Sequence, residues 1–338
     1  MNQLIECAYC DGKAQLQKEN RALTYRKEDF KIVQHFYTCE SCYEEFTTTE
    51  TDTITLLQAH NQYRAKHHIP FPEEIISTRD KYGLSAKKMS EVLGLGINGY
   101  SNYEKGEIPK PAMGNLIAMA NNPEVFKNML GKSKDYFSKG QFEKAIRDVN
   151  HVIIVEKKSR PFYVRLNQYN EPNTLTGFKK PNKKKIANLL VTFINNCSSD
   201  FNDKLKLNKL LFYADFVSYK LFGYSITGLS YRAIDYGPVP TFYDNIYTYF
   251  ENEHIITSKW IKGSNGAGKE TFITETKFDR NLFTEQEKLV INIILKTFKN
   301  ISSWDLVDLS HEEQGWIDLY KEKKILSYQQ YAFDLIGA

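Results

Sequence analysis

The period of the apolar residues changes several times along the chain, and each change marks an element. Over 51–68, Leu56, Leu57, His60 and Tyr63 fall near i, i+3/i+4 and i+7, the spacing of one helical face, and Pro70 and Pro72 end it. The stretch LSAKKMSEVLGLGINGYSNYEKGEIP at 84–109 predicts a helix over 86–93 capped by Ser85. A turn follows at Gly94 and Gly96, where positive φ costs little, and a second helix over 97–104 stops at Lys105-Gly106. Met89, Val92, Leu93, Ile97, Tyr100 and Tyr103 are expected to supply the apolar contacts between these two helices. Further short helices are expected at MGNLIAMA and over 123–131. In HVIIVEKKSRPFYVRL, two β-branched or aromatic runs flank a charged turn, compatible with a β-hairpin. NQYNEPNTLTGFKKPNKKK reads as a linker.

From Lys185 the chain is again strongly apolar. A helix over 203–221 carries Leu205, Leu207, Leu211, Phe212, Ala214, Phe216 and Tyr219 and ends at Gly223. LSYRAIDYG reads as a strand, and Gly237-Pro238-Val239-Pro240 is expected to open the next helix, proline suiting a first turn. Residues 254–278 read as a hairpin around KGSNGAGK, with helices over 284–299 and 303–310 after it. Residues 1–50 are polar and Thr-rich, with YTCESCYEEF reading as strand and turn.

With 338 residues the chain has room for two or three domains. Its 41% hydrophobic and 25% charged composition excludes collagen-like, disordered and disulfide-dense classes. The net charge of +4 excludes a general polycation, but the charge is uneven. Residues 131–182 hold 11 basic against 5 acidic side chains, which suits a solvated spacer better than a nonspecific DNA-binding arm. No run approaches the ~18 apolar residues of a membrane span, and the N-terminus lacks the basic and apolar regions of a signal peptide. A cytoplasmic location with reduced thiols is expected.

Candidate chemistry comes first from the cysteines. Cys7-Ala-Tyr-Cys10 and Cys39-Glu-Ser-Cys42 are two CxxC turns, and two such turns facing each other make a closed tetrahedral site for structural Zn²⁺. A segment of about 45 residues buries little core alone, and metal binding would supply folding free energy. A redox CxxC pair or chance spacing is the alternative. His35 could replace a thiol, though four suffice; Cys197 reads as a small buried hydrophobe.

The 84–109 pattern is that of a helix-turn-helix, with a polar helical hairpin as the plainer reading. On its second helix Asn98, Ser101 and Asn102 face away from the apolar side, and asparagine can pair with adenine N6 and N7. Lys87, Lys88, Lys105 and the helix N-terminal amides would lie near phosphates. GSNGAGK has the G-x-x-x-x-G-K spacing, but residue 270 is Glu and no strand feeds a helix there, so a hairpin tip is the better reading. Lys209, Asp215, Tyr231, Asp235 and His311 could form an acid/base site, but a satisfied polar network fits them better.

INGYSNYEKG beside the two CxxC turns resembles the MqsA antitoxins, which join a zinc domain to a helix-turn-helix of the XRE type. Asn98 matches that family's base-contacting Asn, while Asn102 stands where the family has Arg. The resemblance covers 1–130 and implies dimerisation on a palindromic operator. KLNKLLFYAD, YRAIDYGPVP and SHEEQGW resemble the SocA-like, or Panacea, antitoxin domain over about 185–325. That likeness implies direct toxin neutralisation, in one branch delivery to a ClpXP-type protease, and no catalysis.

Together these readings give a mostly helical α+β multidomain chain. Its expected parts are a Cys₄ zinc domain over 1–50, a five-helix XRE-type helix-turn-helix domain over 51–131, a basic connecting segment over 132–182, and a SocA-like α+β toxin-binding domain over 183–338. The expected function is that of a dimeric type II antitoxin and autorepressor, not an enzyme. The alternatives are a phage or mobile-element regulator without a toxin, and a protease adaptor. Tyr231, Tyr236, Val239 and Phe242 are the candidate toxin contacts, because aromatic side chains give large contact area at low entropic cost.

Overall fold

The computed structural model describes residues 3–158, 171–197, 202–262 and 268–337. The chain divides into two compact units, residues 1–59 together with those from 164 onward, and residues 60–163. Among the described residues no helix is long and apolar enough to cross a membrane.

The first unit opens with an antiparallel sheet in sequence order, β1 (Leu4–Glu6), β2 (Lys13–Tyr25), β3 (Glu28–Cys39) and β4 (Glu45–Phe46). β2 and β3 pair from Ala14 opposite Cys39 to Tyr25 opposite Glu28, around a two-residue turn at Arg26 and Lys27, both at positive φ. This register carries both CxxC turns to one end of the sheet. Helix α1 (Thr49–Lys66) follows. Its buried face runs through Thr51, Ile54, Gln58 and Ala59, and the expected face is displaced, since Leu56 is exposed. The reason is polar. Gln58 accepts from the Val33 N–H and donates to the Val33 carbonyl, both at 2.8 Å, filling the place of a strand neighbour beyond the reach of short β4.

The rest of this unit is built around α9. Its elements are α8 (Lys183–Asn196), α9 (Lys204–Phe222), β5 (Tyr231–Ile234), β6 (Gly237–Pro240), α10 (Tyr243–Asn252), β7 (Thr257–Lys262), β8 (Gly268–Ile273), α11 (Glu285–Phe298), α12 (Ser303–His311), α13 (Gln314–Leu319) and α14 (Tyr328–Tyr331). Every residue of α9 from Lys206 to Tyr219 is buried, so this helix is enclosed on all sides. α8, α11, α12 and β6 surround it. Asp203 caps its start by accepting from the Lys206 N–H at 2.9 Å, and Gly223 ends it at φ +71°. Residues 237–240 do not open a helix as expected. They pair with β5 as a strand, and α10 starts only at Tyr243. Their two prolines lack N–H groups, which an edge strand of a two-stranded sheet tolerates. The expected 254–278 hairpin is present as β7–β8; its tip at 263–267 lies outside the described residues.

The second unit holds the end of α1, then α2 (Pro72–Lys81), α3 (Ala86–Leu93), α4 (Gly99–Glu104), α5 (Pro111–Ala120), α6 (Pro123–Lys132) and α7 (Lys139–Lys158). Ile75, Met89, Tyr100, Ile117, Phe126 and Val149 lie in one shared core. Arg64 is buried and donates to the Gly106 carbonyl at 2.6 Å. The hairpin expected in 132–182 is not formed by its first arm, which is the end of α7. Phe142, Ala145, Ile146, Val149, Val152 and Ile153 repeat at helical spacing against the core, and that burial outweighs β propensity. The second arm lies outside the described residues.

Candidate functional site

The sheet register and the two CxxC turns bring four sulfurs together. The Sγ atoms of Cys7, Cys10, Cys39 and Cys42 all lie within 4.8 Å of one another. Cys7 and Cys42 are 3.7 Å apart and Cys10 and Cys39 are 3.5 Å apart, far beyond the ~2.05 Å of a disulfide. Four sulfurs held ~2.3 Å from a tetrahedral metal would lie about 3.8 Å apart, so the donor set fits a closed four-thiolate metal site. Backbone amides support the thiolates. Tyr9 N–H donates to Cys7 Sγ at 3.3 Å, Gly12 N–H to Cys10 Sγ at 3.4 Å, and Ser41 N–H to Cys39 Sγ at 3.3 Å. The Cys42 and Ser41 amides pull the Cys39 thiol down to about 6. Gly12 is required by close approach, because a Cβ there would sit 2.5 Å from Ser41 Oγ and 3.1 Å from Cys39 Sγ. His35 is not part of the cluster. It is buried against Phe333, with ring centroids 5.0 Å apart, and desolvation and nearby Lys18 hold its imidazole down at about 4. Cys197 caps α8, half-buried, its thiol pushed up by burial.

In the second unit, Ser85 Oγ accepts from the Lys88 N–H at 3.2 Å at the start of α3. Gly94 at φ +65° then turns the chain toward α4. Tyr100 anchors α4 in the core by donating to the Ile75 carbonyl at 2.7 Å. With Tyr100 inward, Asn98 and Asn102 are exposed one turn apart and Ser101 is half-buried beside them. Asn98 sits at the cap position, yet its side chain makes no capping bond, so its amide is not tied to the helix. Lys87 and Lys105 are exposed. Lys88 differs from its expected role. Its ammonium is 2.7 Å from Glu91, donates to the Tyr136 carbonyl and lies 4.7 Å from the Phe137 ring centre. Ile97 departs from expectation too. It is 82% exposed, and half-buried Leu95 packs in its place.

In the half built on α9, the structure joins only some of the polar candidates. Asp215 is fully buried. It accepts from the Ile226 N–H at 2.7 Å, the Thr227 N–H at 2.8 Å, the Thr227 hydroxyl and the Tyr231 hydroxyl at 2.8 Å. Burial pushes its carboxyl up to about 6 against the pull of these donors. Lys209 is separately buried, donating to the Pro238 carbonyl at 3.1 Å, and burial pushes its amine down to about 7. Asp235 is exposed and pairs with Lys323 at 3.5 Å. His311 stacks on Trp316 with centroids 3.9 Å apart, and burial lowers its imidazole. Asp215 and Tyr231 thus pin the 225–227 turn to α9, as a satisfied polar network does.

Burial also revises the toxin-contact candidates. Tyr231 and Val239 are core residues at 0% and 4% exposure, so neither can reach a partner in this conformation. They point inward because β5 and β6 cover α9. Phe242 is half-buried at the start of α10. Tyr236, in the β5–β6 turn, is exposed and meets exposed Trp304 edge-to-face at 5.8 Å. Trp304 was missed by sequence reasoning. Its signal is phase, since Ser303, Leu306, Val307 and Ser310 form the buried face of α12 and Trp304 lies off it.

A family model described as the antitoxin component of a bacterial toxin–antitoxin system, MqsA, matches residues 5–129. Another, described as an antitoxin SocA-like, Panacea domain, matches residues 207–317. The curated Antitoxin MqsA of Escherichia coli (strain K12) is 32% identical over 104 residues, covering 30% of this chain and 78% of that protein. The sulfur cluster and the α3–α4 pair both lie inside the first match, and β5, β6 and all but the first three residues of α9 lie inside the second. The chain belongs to the MqsA antitoxin family and carries a SocA-like Panacea domain in its C-terminal half.

Proposed function

We propose that this chain is a type II antitoxin that neutralises a cognate toxin by direct binding and represses its own operon as a homodimer on a palindromic operator. The observation that carries the DNA-binding half is the exposed Asn98–Asn102 pair on a helix anchored by buried Tyr100. Two asparagine amides one turn apart suit adenine edges in the major groove, and Lys87 and Lys105 suit the flanking phosphates. Lys88, held by Glu91, adds little to that contact. Cys7, Cys10, Cys39 and Cys42 would hold a structural Zn²⁺. Its closed thiolate shell leaves no open position for chemistry.

Toxin binding belongs to the C-terminal half in this reading. Tyr236 and Trp304 replace Tyr231 and Val239 as the contact surface, with Phe242 at most a partial contributor. The pair has the large, rigid aromatic area of a binding hot spot.

The test is co-expression in a heterologous bacterium with the product of the neighbouring reading frame. If that product arrests growth, the full chain should restore it, and the Trp304→Ala, Tyr236→Ala double variant should not. A harmless neighbour overturns the toxin–antitoxin reading. Full rescue by the double variant moves the toxin contact elsewhere.

A further inference from the structure

We propose that Ile97 is a base-reading residue that recognises the 5-methyl group of a thymine beside the adenine read by Asn98. This rests on the DNA-binding reading above and extends it to one chemical group on the operator. Three observations carry it. Ile97 is 82% exposed, the largest value among the exposed large hydrophobic side chains described. The apolar role of this turn is filled by Leu95, which packs against the shared core, so Ile97 is not needed to join α3 to α4. Ile97 also immediately precedes Asn98, whose amide is exposed and makes no capping bond, in the turn that enters the presented helix.

The chemistry of that position selects the ligand. A branched alkyl group held in water gains by covering apolar surface, and the major groove offers one apolar group, the thymine methyl. An adenine–thymine pair displays both the adenine N6/N7 edge and that methyl on the same groove face. Adjacent Asn and Ile side chains can therefore read the two features of one pair or of neighbouring pairs. A solitary exposed isoleucine elsewhere would carry no such meaning; this one immediately precedes the exposed Asn98, whose side chain does not cap the helix.

The experiment uses the full chain and duplex DNA. A random duplex library is enriched on the protein, and the best duplex is remade with each thymine replaced in turn by uracil, which deletes the methyl and keeps base pairing. The expected result is one thymine per half-site whose methyl removal weakens binding by about three- to fivefold, the scale of one buried methyl group. Ile97→Ala should bind the thymine duplex as weakly as the wild type binds the uracil duplex, and should not distinguish the two. Ile97→Val should keep most of the methyl preference. Asn98→Ala should bind more weakly yet still distinguish thymine from uracil. Because Ile97 is exposed, its variants should keep the thermal midpoint of the wild type, which separates lost recognition from lost folding.

Methyl deletion without effect at every position overturns the assignment to Ile97 and leaves the DNA-binding reading intact. A methyl preference that survives in Ile97→Ala does the same. If no sequence is enriched at all, the DNA-binding reading itself fails, and this inference with it.

Discussion

The cysteine end of the sheet and the helix α9 solve the same problem in opposite ways. Among the described residues, the buried core around the sulfurs is Ala14, Tyr37 and Cys39, with Ile5, Leu16 and Phe46 partly buried against it. Around α9, fourteen consecutive residues from Lys206 to Tyr219 are buried, and the structure even encloses Lys209 and Asp215. The first region buries little apolar area beside the sulfurs, and a metal held by the four thiolates would supply what burial does not. The second has so much that it can bear polar groups inside, provided their hydrogen bonds are made. One region is therefore expected to respond to metal removal and the other to the loss of a hydrogen-bond partner.

Removing the metal should give the largest effect. A Cys₄ zinc site contributes on the order of 10 kcal/mol of apparent folding free energy. Chelation or Cys39→Ser should unfold the cysteine end of the sheet and expose the segments around Cys7–Cys10 and Cys39–Cys42 to protease, while fragments from the α9 half stay protected. Mass spectrometry of the digestion products reads this directly, and an unchanged pattern would mean the sulfurs hold no structural metal.

Asp215→Ala should come next, costing about 3–5 kcal/mol, because it leaves two buried amides and two hydroxyls without an acceptor. Asp215→Asn keeps one acceptor oxygen and should cost less. Urea unfolding followed by the fluorescence of Trp304 and Trp316 is a suitable measure, and a cost near zero for the alanine variant would show that the 225–227 turn does not depend on this carboxylate.

Lys209 sharpens the same contrast through pH. Its folded amine titrates near 7, below the ordinary value of 10.5 for lysine, because it is buried. Between those values the unfolded chain holds a proton that the folded chain has released, so this group makes stability rise with pH from about 7 to 10. Lys209→Met should remove that rise and stabilise the fold at pH 7 by about 1–2 kcal/mol. A melting series across this range that is identical in the two proteins would refute the assignment. The smallest change is Ser85→Ala, which loses the cap of α3 and should lower the stability of the helical unit by about 1 kcal/mol. The temperature at which the cysteine end of the sheet melts should not move.

Local rules made much of this molecule legible. Ser85, Gly94, Asp203 and Gly223 end their helices where capping chemistry requires, so α3 and α9 fall within a residue or so of expectation. CxxC spacing alone was enough to expect two tight thiol turns. Failures arose where a distant partner decided the outcome. The 237–240 segment has the prolines of a helix start, but β5 offered it a partner. The β-branched run near 152–155 became helix because Ile146, Val149 and Ile153 found a core to fill.

The candidate sites divide in the same way. The sequence by itself determined which side chains carry chemistry, since a thiol, an amide or an indole is a property of the residue. It also fixed their local phase, because helical spacing set Asn98 and Asn102 on one face. Only the tertiary structure decided exposure. Tyr231 and Val239 turned inward onto α9, Tyr236 and Trp304 met at the surface, and Leu95 displaced Ile97 into solvent. The physical reason is that burial is a property of pairs of surfaces: a residue's polarity and period name the face it lies on, and only the packed neighbours determine whether that face meets water.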